Sequence, residues 1–279
     1  DFAGLATRAI ADGEEWVVNG QKVWNTIAHL ADWGMLVTRT NPEVPKHRGL
    51  TYFAVDMRSD GVEVRPLRQI TGEAEFNEVY LTDAKIPDSN RIGDVGDGWR
   101  VSLTTLMNER NAIGVGSGVP PKAGSGPVSL LTKLWSEKSE EDRDPVALDT
   151  MMKLYVRSEA QRLTNMRASA NSRKGNPGPE MSIAKLAFAE LNKDVLSTAV
   201  DMMGMLGQIG LDYTFRRPED LSVDGSESGI QHGFLRVRAN SIEGGTSEIM
   251  RNILGEQVLG LPGEPRVDKD VAWIEVPRN

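Results

Sequence analysis

Two hydrophobic periods divide the chain. Up to about residue 95, apolar side chains come in short runs rich in Val, Leu, Tyr and Thr, and clusters of Gly, Asn, Asp and Pro separate the runs, as is typical of β-strands joined by turns. The runs predict strands over Glu15–Val18, Gly34–Thr40, Leu50–Val55, Val62–Leu67 and Phe76–Leu81. Asn19-Gly20 tolerates positive φ and predicts a tight hairpin turn. This half is therefore expected to form an antiparallel β sandwich or barrel.

From Gly98 onward the apolar positions follow the period of a helix. They predict helices over residues 98–116, 126–139, 145–174, 179–206, 231–242 and 246–259. Gly- and Pro-rich breaks at 117–127 and 175–179 separate the longer ones, because neither residue type sustains a helix. The prediction is an α+β protein with a β domain over 1–95 and a helical bundle over 96–279.

Composition narrows the function classes. The 279 residues are 39% hydrophobic and carry a net charge of −8, which argues against general binding to nucleic acid or an anionic membrane. No apolar run is long enough to span a bilayer, and no signal peptide is recognisable. Without cysteine, and with His29, His47 and His232 far from metal-ligand spacing, no metal site is expected. These features fit a cytoplasmic protein.

One carboxylate stands out on the first predicted helix. Glu109 shares its helix face with Thr105, Leu106, Ala112 and Ile113, which are mostly apolar. A carboxylate on such a face is costly unless it is paired or its pKa is raised. Three interpretations of Glu109 remain open. It could form an ion pair with the adjacent Arg110 or another basic residue, lie at the solvent margin of the helix, or be a functional carboxylate.

A second candidate segment precedes the last predicted helix. Thr246 is a natural N-cap, and Glu248 is favourable in a first turn, where the helix dipole stabilises negative charge.

Three motifs together resemble the acyl-CoA dehydrogenase family. Residues 16–26 resemble the family's hairpin followed by Trp-x-Thr, here Trp24-Asn25-Thr26. Gly96–Arg100, followed by Leu106–Arg110, is similar to the start of the family's C-terminal domain, and Ser241–Asn252 contains its Gly-Thr-Ser-Glu signature. The resemblance covers the family's middle β domain and C-terminal helical domain. The N-terminal helical domain that family members carry upstream of residue 1 is absent, and something upstream is expected to have been left out.

The resemblance implies a cofactor, a reaction and partners. Family members use FAD to dehydrogenate an acyl-CoA thioester to the trans-2-enoyl-CoA in fatty-acid-type catabolism, and they pass electrons to an electron-transfer flavoprotein or an equivalent acceptor. By this resemblance Trp24 packs against the flavin, Thr26 hydrogen-bonds near its N5, and Thr246 and Glu248 lie near the diphosphate and adenosine. The family forms tetramers through the C-terminal bundle, so a homo- or hetero-oligomer is expected.

The resemblance also bears on the catalytic base. Most members place it immediately before the Gly-Thr of the last motif, where this chain has Gly244, and Glu243 lies one residue too early. A minority branch carries the base in a Glu-Arg pair that matches Glu109-Arg110. We therefore predict Glu109 as the base, with Glu243 in reserve, and Arg110 as an electrostatic support for the base or the substrate.

One departure from the family keeps other functions open. Many members have an Arg-x-x-Phe-Gly segment on the long helix that reaches the flavin of a neighbouring subunit, whereas this chain has Asn171-Ser-Arg-Lys-Gly175. The alternatives are a non-catalytic structural subunit of a heteromeric dehydrogenase, and a flavin oxidase or monooxygenase on the same fold.

Overall fold

The computed structural model divides the chain into two compact units. It describes residues 1–114, 122–173, 180–210, 212–219, 229–266 and 268–277, and within 107–114, 172–173 and 180–181 it describes the backbone alone. The first unit contains Asp1–Glu109, Thr214–Leu221 and Glu264–Asn279; the second contains Arg110–Tyr213 and Ser222–Gly263. Two segments from near the C-terminal end of the sequence thus belong to the β unit. The hydrophobic period alone does not predict this. The domain boundary at residue 95 stays a prediction.

A seven-stranded sheet forms the first unit. Its strands are β1 Arg8–Asp12, β2 Glu15–Thr26, β3 Trp33–Arg39, β4 Leu50–Asp56, β5 Val62–Pro66, β6 Phe76–Pro87 and β7 Arg91–Ile92. Their order is β5-β6-β2-β1-β3-β4-β7, and every neighbouring pair is antiparallel except β1 and β3. The mainly antiparallel β domain is confirmed. The short strands β1 and β7 are additions to the predicted set.

The Asn19-Gly20 hairpin prediction is wrong. Both residues lie inside β2, where its register against β6 shifts, and the turn that joins β1 to β2 contains Gly13 at φ 64° instead. Glycine is needed at position 20 because a Cβ there would lie 2.8 Å from the Cα of Thr7. The Asn19 amide exchanges hydrogen bonds with Asp83, at 2.9 and 3.0 Å. The pair therefore marks a β-bulge and a close backbone approach.

Alternating inward residues build the core of the sheet. Trp16 and Val18 of β2, Phe53 and Val55 of β4 and Ile86 of β6 belong to one buried cluster, as strands with one buried face require. The Trp16 indole N–H donates to Asp88 Oδ1 at 2.7 Å. Arg91 donates to both oxygens of the same carboxylate, at 2.8 and 3.0 Å. The hydrogen bonds from Arg91, and secondly the one from Trp16, lower the pKa of Asp88 to about 2.

The Asp88 contacts predict an acid-dependent share of stability. Because its folded-state pKa lies below the unfolded value of about 4, the charged form stabilises the native state above that pH. The contribution is lost as the pH falls from about 4 through about 2. We expect Asp88→Asn to be less stable than wild type at pH 6, with the difference shrinking at pH 3. Urea unfolding at both pH values measures this, and an equal difference at both would contradict it.

Helices dominate the second unit. They are α2 Val128–Glu137, α3 Pro145–Arg173, α4 Glu180–Met202, α5 Ile230–Arg236 and α6 Ser247–Ile253, while α1, Gly98–Gly114, runs across the division between the units. The helical half of the α+β prediction is confirmed. The predicted helix 231–242 is α5 followed by a 3-10 turn, and the predicted helix 246–259 continues from α6 into a five-residue π turn. Residues 117–121 of the first predicted break and the whole of the second, 175–179, lie outside the described residues.

The bundle core lies between α2, α3 and α4. Val128 and Leu131 of α2 pack with Leu154 of α3 and with Leu191 and Val195 of α4 in one buried cluster. Across the described ranges, no helix has the length and apolar character needed to cross a bilayer.

Candidate functional site

The end of β2 is a strained β-bulge. The register of β2 against β6 shifts between Lys22 and Asn25, so Val23 and Trp24 have no partner in the ladder. Trp24 has φ 64° and Ile27 has φ 51°, although neither is glycine. Such left-handed conformations cost about 1–3 kcal/mol each and persist only where the surroundings enforce them. Strain of this kind concentrates at functional sites.

The bulge presents an aromatic ring and a hydroxyl to the outside of the unit. Trp24 is 61% exposed, and its ring meets Phe76 edge-on, with centroids 5.7 Å apart at 80°. Thr26 is also exposed and pairs with Phe76 in the β2–β6 ladder. The amide oxygen of Asn25 between them is buried and has no hydrogen-bond partner among the described residues. The predicted cofactor residues Trp24 and Thr26 therefore lie on one short, exposed segment.

Lys22 anchors the strand just before the bulge. Its ammonium donates to the Val37 carbonyl oxygen of β3 at 2.7 Å, and burial lowers its pKa to about 8. Sequence reasoning missed this contact, because a lysine in an alternating strand usually reads as a solvated position.

A second candidate segment lies in the other unit, at the turn before α6. Gly244 and Gly245 have φ 61° and 98°, and a Cβ at Gly245 would lie 2.7 Å from the Met250 side chain. Thr246 Oγ1 accepts from the Ile249 N–H at 3.2 Å, which confirms the predicted N-cap. Both glycines are required by the turn that delivers Thr246 to the start of the helix.

Three side chains of α4 hold this turn. Lys185 donates to the carbonyl oxygens of Asn240, at 2.9 Å, and Gly245, and burial lowers its pKa. Ser247 donates to Glu190 at 2.7 Å, and Asn192 donates to the Asn240 amide oxygen at 2.8 Å. Sequence reasoning did not assign these roles, because the contacts span 48 to 60 residues.

Glu243, the reserve candidate for the base, is occupied by an ion pair. Both of its oxygens accept from Arg236, at 3.1 and 3.3 Å, and Oε1 also accepts from the Asn240 amide at 2.6 Å. Arg236 is only 4% exposed, so the pair neutralises a buried cation. A carboxylate with these donors stabilises the fold and is poorly suited to accept a substrate proton.

Glu248 faces solvent at the start of α6. Its side chain is 77% exposed, and its nearest ion-pair partner is Arg251 at 3.7 Å. The described residues therefore leave it free to face a ligand, and its predicted cofactor role stays a prediction.

The backbones of Glu109 and Arg110 lie in α1, and their side chains fall outside the described atoms. The first turns of α1 are fixed against the sheet. A Cβ at Gly98 would lie 2.8 Å from the backbone of Leu50, and Thr105 shares a hydrogen bond of 3.3 Å with the Tyr52 hydroxyl. The predicted roles of Glu109 and Arg110 stay predictions, on a helix whose start is anchored to β4.

Comparison with known proteins identifies the class that this β unit and helical unit define. The acyl-CoA dehydrogenase middle domain matches residues 1–84, and the acyl-CoA dehydrogenase C-terminal domain matches residues 96–259. The chain belongs to the acyl-CoA dehydrogenase family.

Relatives of the chain are known from Mycobacterium tuberculosis. Acyl-CoA dehydrogenase IpdE1 is 35% identical over 266 residues, which cover 95% of this chain and 65% of the relative. Acyl-CoA dehydrogenase FadE34 is 34% identical over 263 residues, 94% of this chain and 34% of the relative. A crystal structure of the ChsE4-ChsE5 complex is 25% identical with a TM-score of 0.75, and covers 95% of this chain and 66% of that one. The chain thus spans less than two thirds of the length of these two curated relatives.

Proposed function

We propose that this chain is part of an enzyme that dehydrogenates an acyl-CoA thioester to the trans-2-enoyl-CoA with FAD. The exposed, strained Trp24-Asn25-Thr26 bulge, at the position of the family's Trp-x-Thr motif, is the observation that carries the proposal. Cofactor binding explains why the large Trp24 side chain is held outward on a strained backbone, since packing alone would not require this strain.

The residues of the bulge suit a flavin. The indole of Trp24 offers a flat apolar surface, the Thr26 hydroxyl can donate or accept, and the buried Asn25 amide oxygen can accept from an N–H or O–H group. When bound, FAD would accept the hydride that leaves the β-carbon of the acyl group. Thr246 and Glu248 of the second unit are proposed FAD contacts on the family's Gly-Thr-Ser-Glu signature.

Glu109 is proposed to remove the α-proton. In the sequence its i±3 and i±4 neighbours are mostly apolar, and apolar surroundings raise the pKa of a carboxylate toward that of a useful base. The usual slot holds Gly244, and the ion pair with Arg236 occupies Glu243. Both observations favour Glu109, and Arg110, the next residue in the sequence, is proposed to support the base or the thioester electrostatically.

A heteromeric assembly is the second candidate. One solved relative is a complex of two differently named chains, ChsE4 and ChsE5. In such an assembly this chain would either supply Glu109 as the base or act as the non-catalytic subunit. In both cases an electron-transfer flavoprotein or an equivalent acceptor would reoxidise the flavin. Flavin that co-purifies only with a second chain would favour the subunit reading.

Mass spectrometry of the product tests the reaction class. The FAD-loaded full-length protein, given saturated acyl-CoA thioesters and an artificial electron acceptor, should release CoA products lighter by a pair of hydrogens. Hydrogen peroxide formed at the expense of oxygen, with no need for the acceptor, would support the oxidase alternative and contradict the dehydrogenase.

Trp24 should contribute to FAD affinity. We expect Trp24→Ala to weaken FAD binding by about tenfold, because an aromatic contact with the ring is lost. Trp33→Ala is the matched control, since Trp33 is 60% exposed on the same sheet and has no proposed cofactor contact. Fluorescence titration with FAD measures both. Equal affinities for the two variants would contradict the role of Trp24.

A further inference from the structure

Asn77 of β6 is the centre of a polar network beneath the bulge. Its side chain is fully buried, at 0% exposure. Its amide nitrogen donates to the carbonyl oxygens of Asn25, at 3.1 Å, and Glu75, at 3.2 Å, and lies 3.3 Å from His29 Nδ1. Its amide oxygen accepts from Arg217 Nη2 at 2.6 Å. Every one of these contacts lies within the first unit.

Arg217 fixes which way the Asn77 amide points. A guanidinium can only donate, so the atom that faces it must be the amide oxygen. The amide nitrogen is then directed at the Asn25 carbonyl, between Trp24 and Thr26. Burial, and secondly the charge of Arg217, lower the pKa of His29, which lies beside the same amide.

Arg217 comes from a distant part of the sequence. It lies in the segment 214–219, which is 140 residues away from Asn77 along the chain. That segment is docked just before β6, because the Ala74 N–H donates to the Arg216 carbonyl oxygen at 2.8 Å and Glu73 forms a β-bridge with Arg216. The docking places the guanidinium beside the buried amide.

The bulge needs such restraints. Trp24 and Ile27 are both in the left-handed region, and Asn25 and Thr26 lie between them. Asn77 holds the Asn25 carbonyl, and the Ile27 N–H donates to the Glu75 carbonyl at 2.8 Å. Loss of the Asn77 donor would leave the Asn25 carbonyl without this bond and allow the bulge to relax toward regular strand geometry.

We propose that Asn77, oriented by Arg217, is a positioning residue that holds Trp24 and Thr26 in the arrangement that receives FAD. The inference rests on the proposed function, since it takes these two residues as flavin contacts. It adds that the segment 214–219 serves the cofactor site through Asn77.

Two variants interrupt the chain of contacts at different points. Asn77→Asp keeps an acceptor for Arg217 but cannot donate to Asn25, and Arg217→Met removes the group that orients the amide. Each is expected to raise the dissociation constant for FAD by about tenfold, the equivalent of one lost hydrogen bond. Each should also shift the visible absorption bands of the bound flavin, because the environment of its ring changes. In the double variant the two losses should not add, because both act on the same contact.

Matched variants separate positioning from general loss of stability. Arg217→Lys keeps a donor and should bind FAD more tightly than Arg217→Met. Thr38→Val removes a fully buried hydroxyl of the same sheet, one that donates to the Thr51 carbonyl, and should leave the flavin spectrum unchanged. Wild-type spectra and affinity in Asn77→Asp, or losses that add in the double variant, would overturn the positioning role alone. A wild-type protein that binds no FAD would overturn the proposed function and this inference together.

Discussion

Replacing Glu109 with Gln is expected to lower the rate of flavin reduction by acyl-CoA roughly 10²–10⁴-fold while FAD binding stays intact. That range is the contribution of a positioned general base, and the amide of Gln cannot accept the α-proton at neutral pH. Stopped-flow absorbance of the FAD-loaded protein, mixed anaerobically with an acyl-CoA substrate, measures the step directly, and FAD titration checks the binding.

Matched variants make the Glu109 result specific. Glu140→Gln removes an exposed carboxylate of the second unit and should reduce flavin at the wild-type rate. If Glu109→Gln kept a rate near wild type while Glu243→Gln lost it with the fold intact, the base would have to be reassigned to Glu243.

Replacing Arg236 with Met is expected to destabilise the helical unit by about 3 kcal/mol. The substitution leaves the Glu243 carboxylate without the guanidinium that contacts both of its oxygens, in a position where the arginine is almost completely buried. The Glu243 side chain is 29% exposed, so water compensates part of the loss and the effect should fall at the lower end for a broken buried pair. Urea unfolding measures the free energy difference.

The double variant Arg236→Met/Glu243→Leu tests whether the unpaired Glu243 carboxylate causes this loss of stability. Removing both charges removes the uncompensated carboxylate, so the double variant should recover most of the lost stability. A double variant less stable than Arg236→Met would show that Glu243 stabilises the fold through contacts other than this pair.

Local patterns predicted most of the elements but not all of their connections. The period change near residue 98 places the transition from strands to helices, because side-chain spacing follows backbone geometry directly. Asn19-Gly20 misled the hairpin prediction because the same residues that favour a turn also suit a bulge where another strand comes close. A two-residue pattern carries no information on what packs against it.

The residues of the candidate site also fall into two groups, those that a local pattern marks and those that only distant contacts define. Trp24, Thr26 and Thr246 could be chosen as candidates from the sequence, because a short motif or a capping pattern marks each of them. The restraints that hold them, Arg217 on Asn77 and Lys185 on the Gly245 carbonyl, were not predictable, because each joins residues that are 140 or 60 apart in sequence. Only the folded chain brings such pairs together.

Anaerobic reduction of the bound flavin tests the central claim most directly. The visible spectrum of the full-length protein with FAD would be recorded before and after addition of a panel of acyl-CoA thioesters in the absence of oxygen. The proposed function predicts that at least one thioester bleaches the flavin band and that Glu109→Gln, with FAD bound, does not bleach with the same thioester. Bound flavin that no thioester in the panel bleaches would contradict the account.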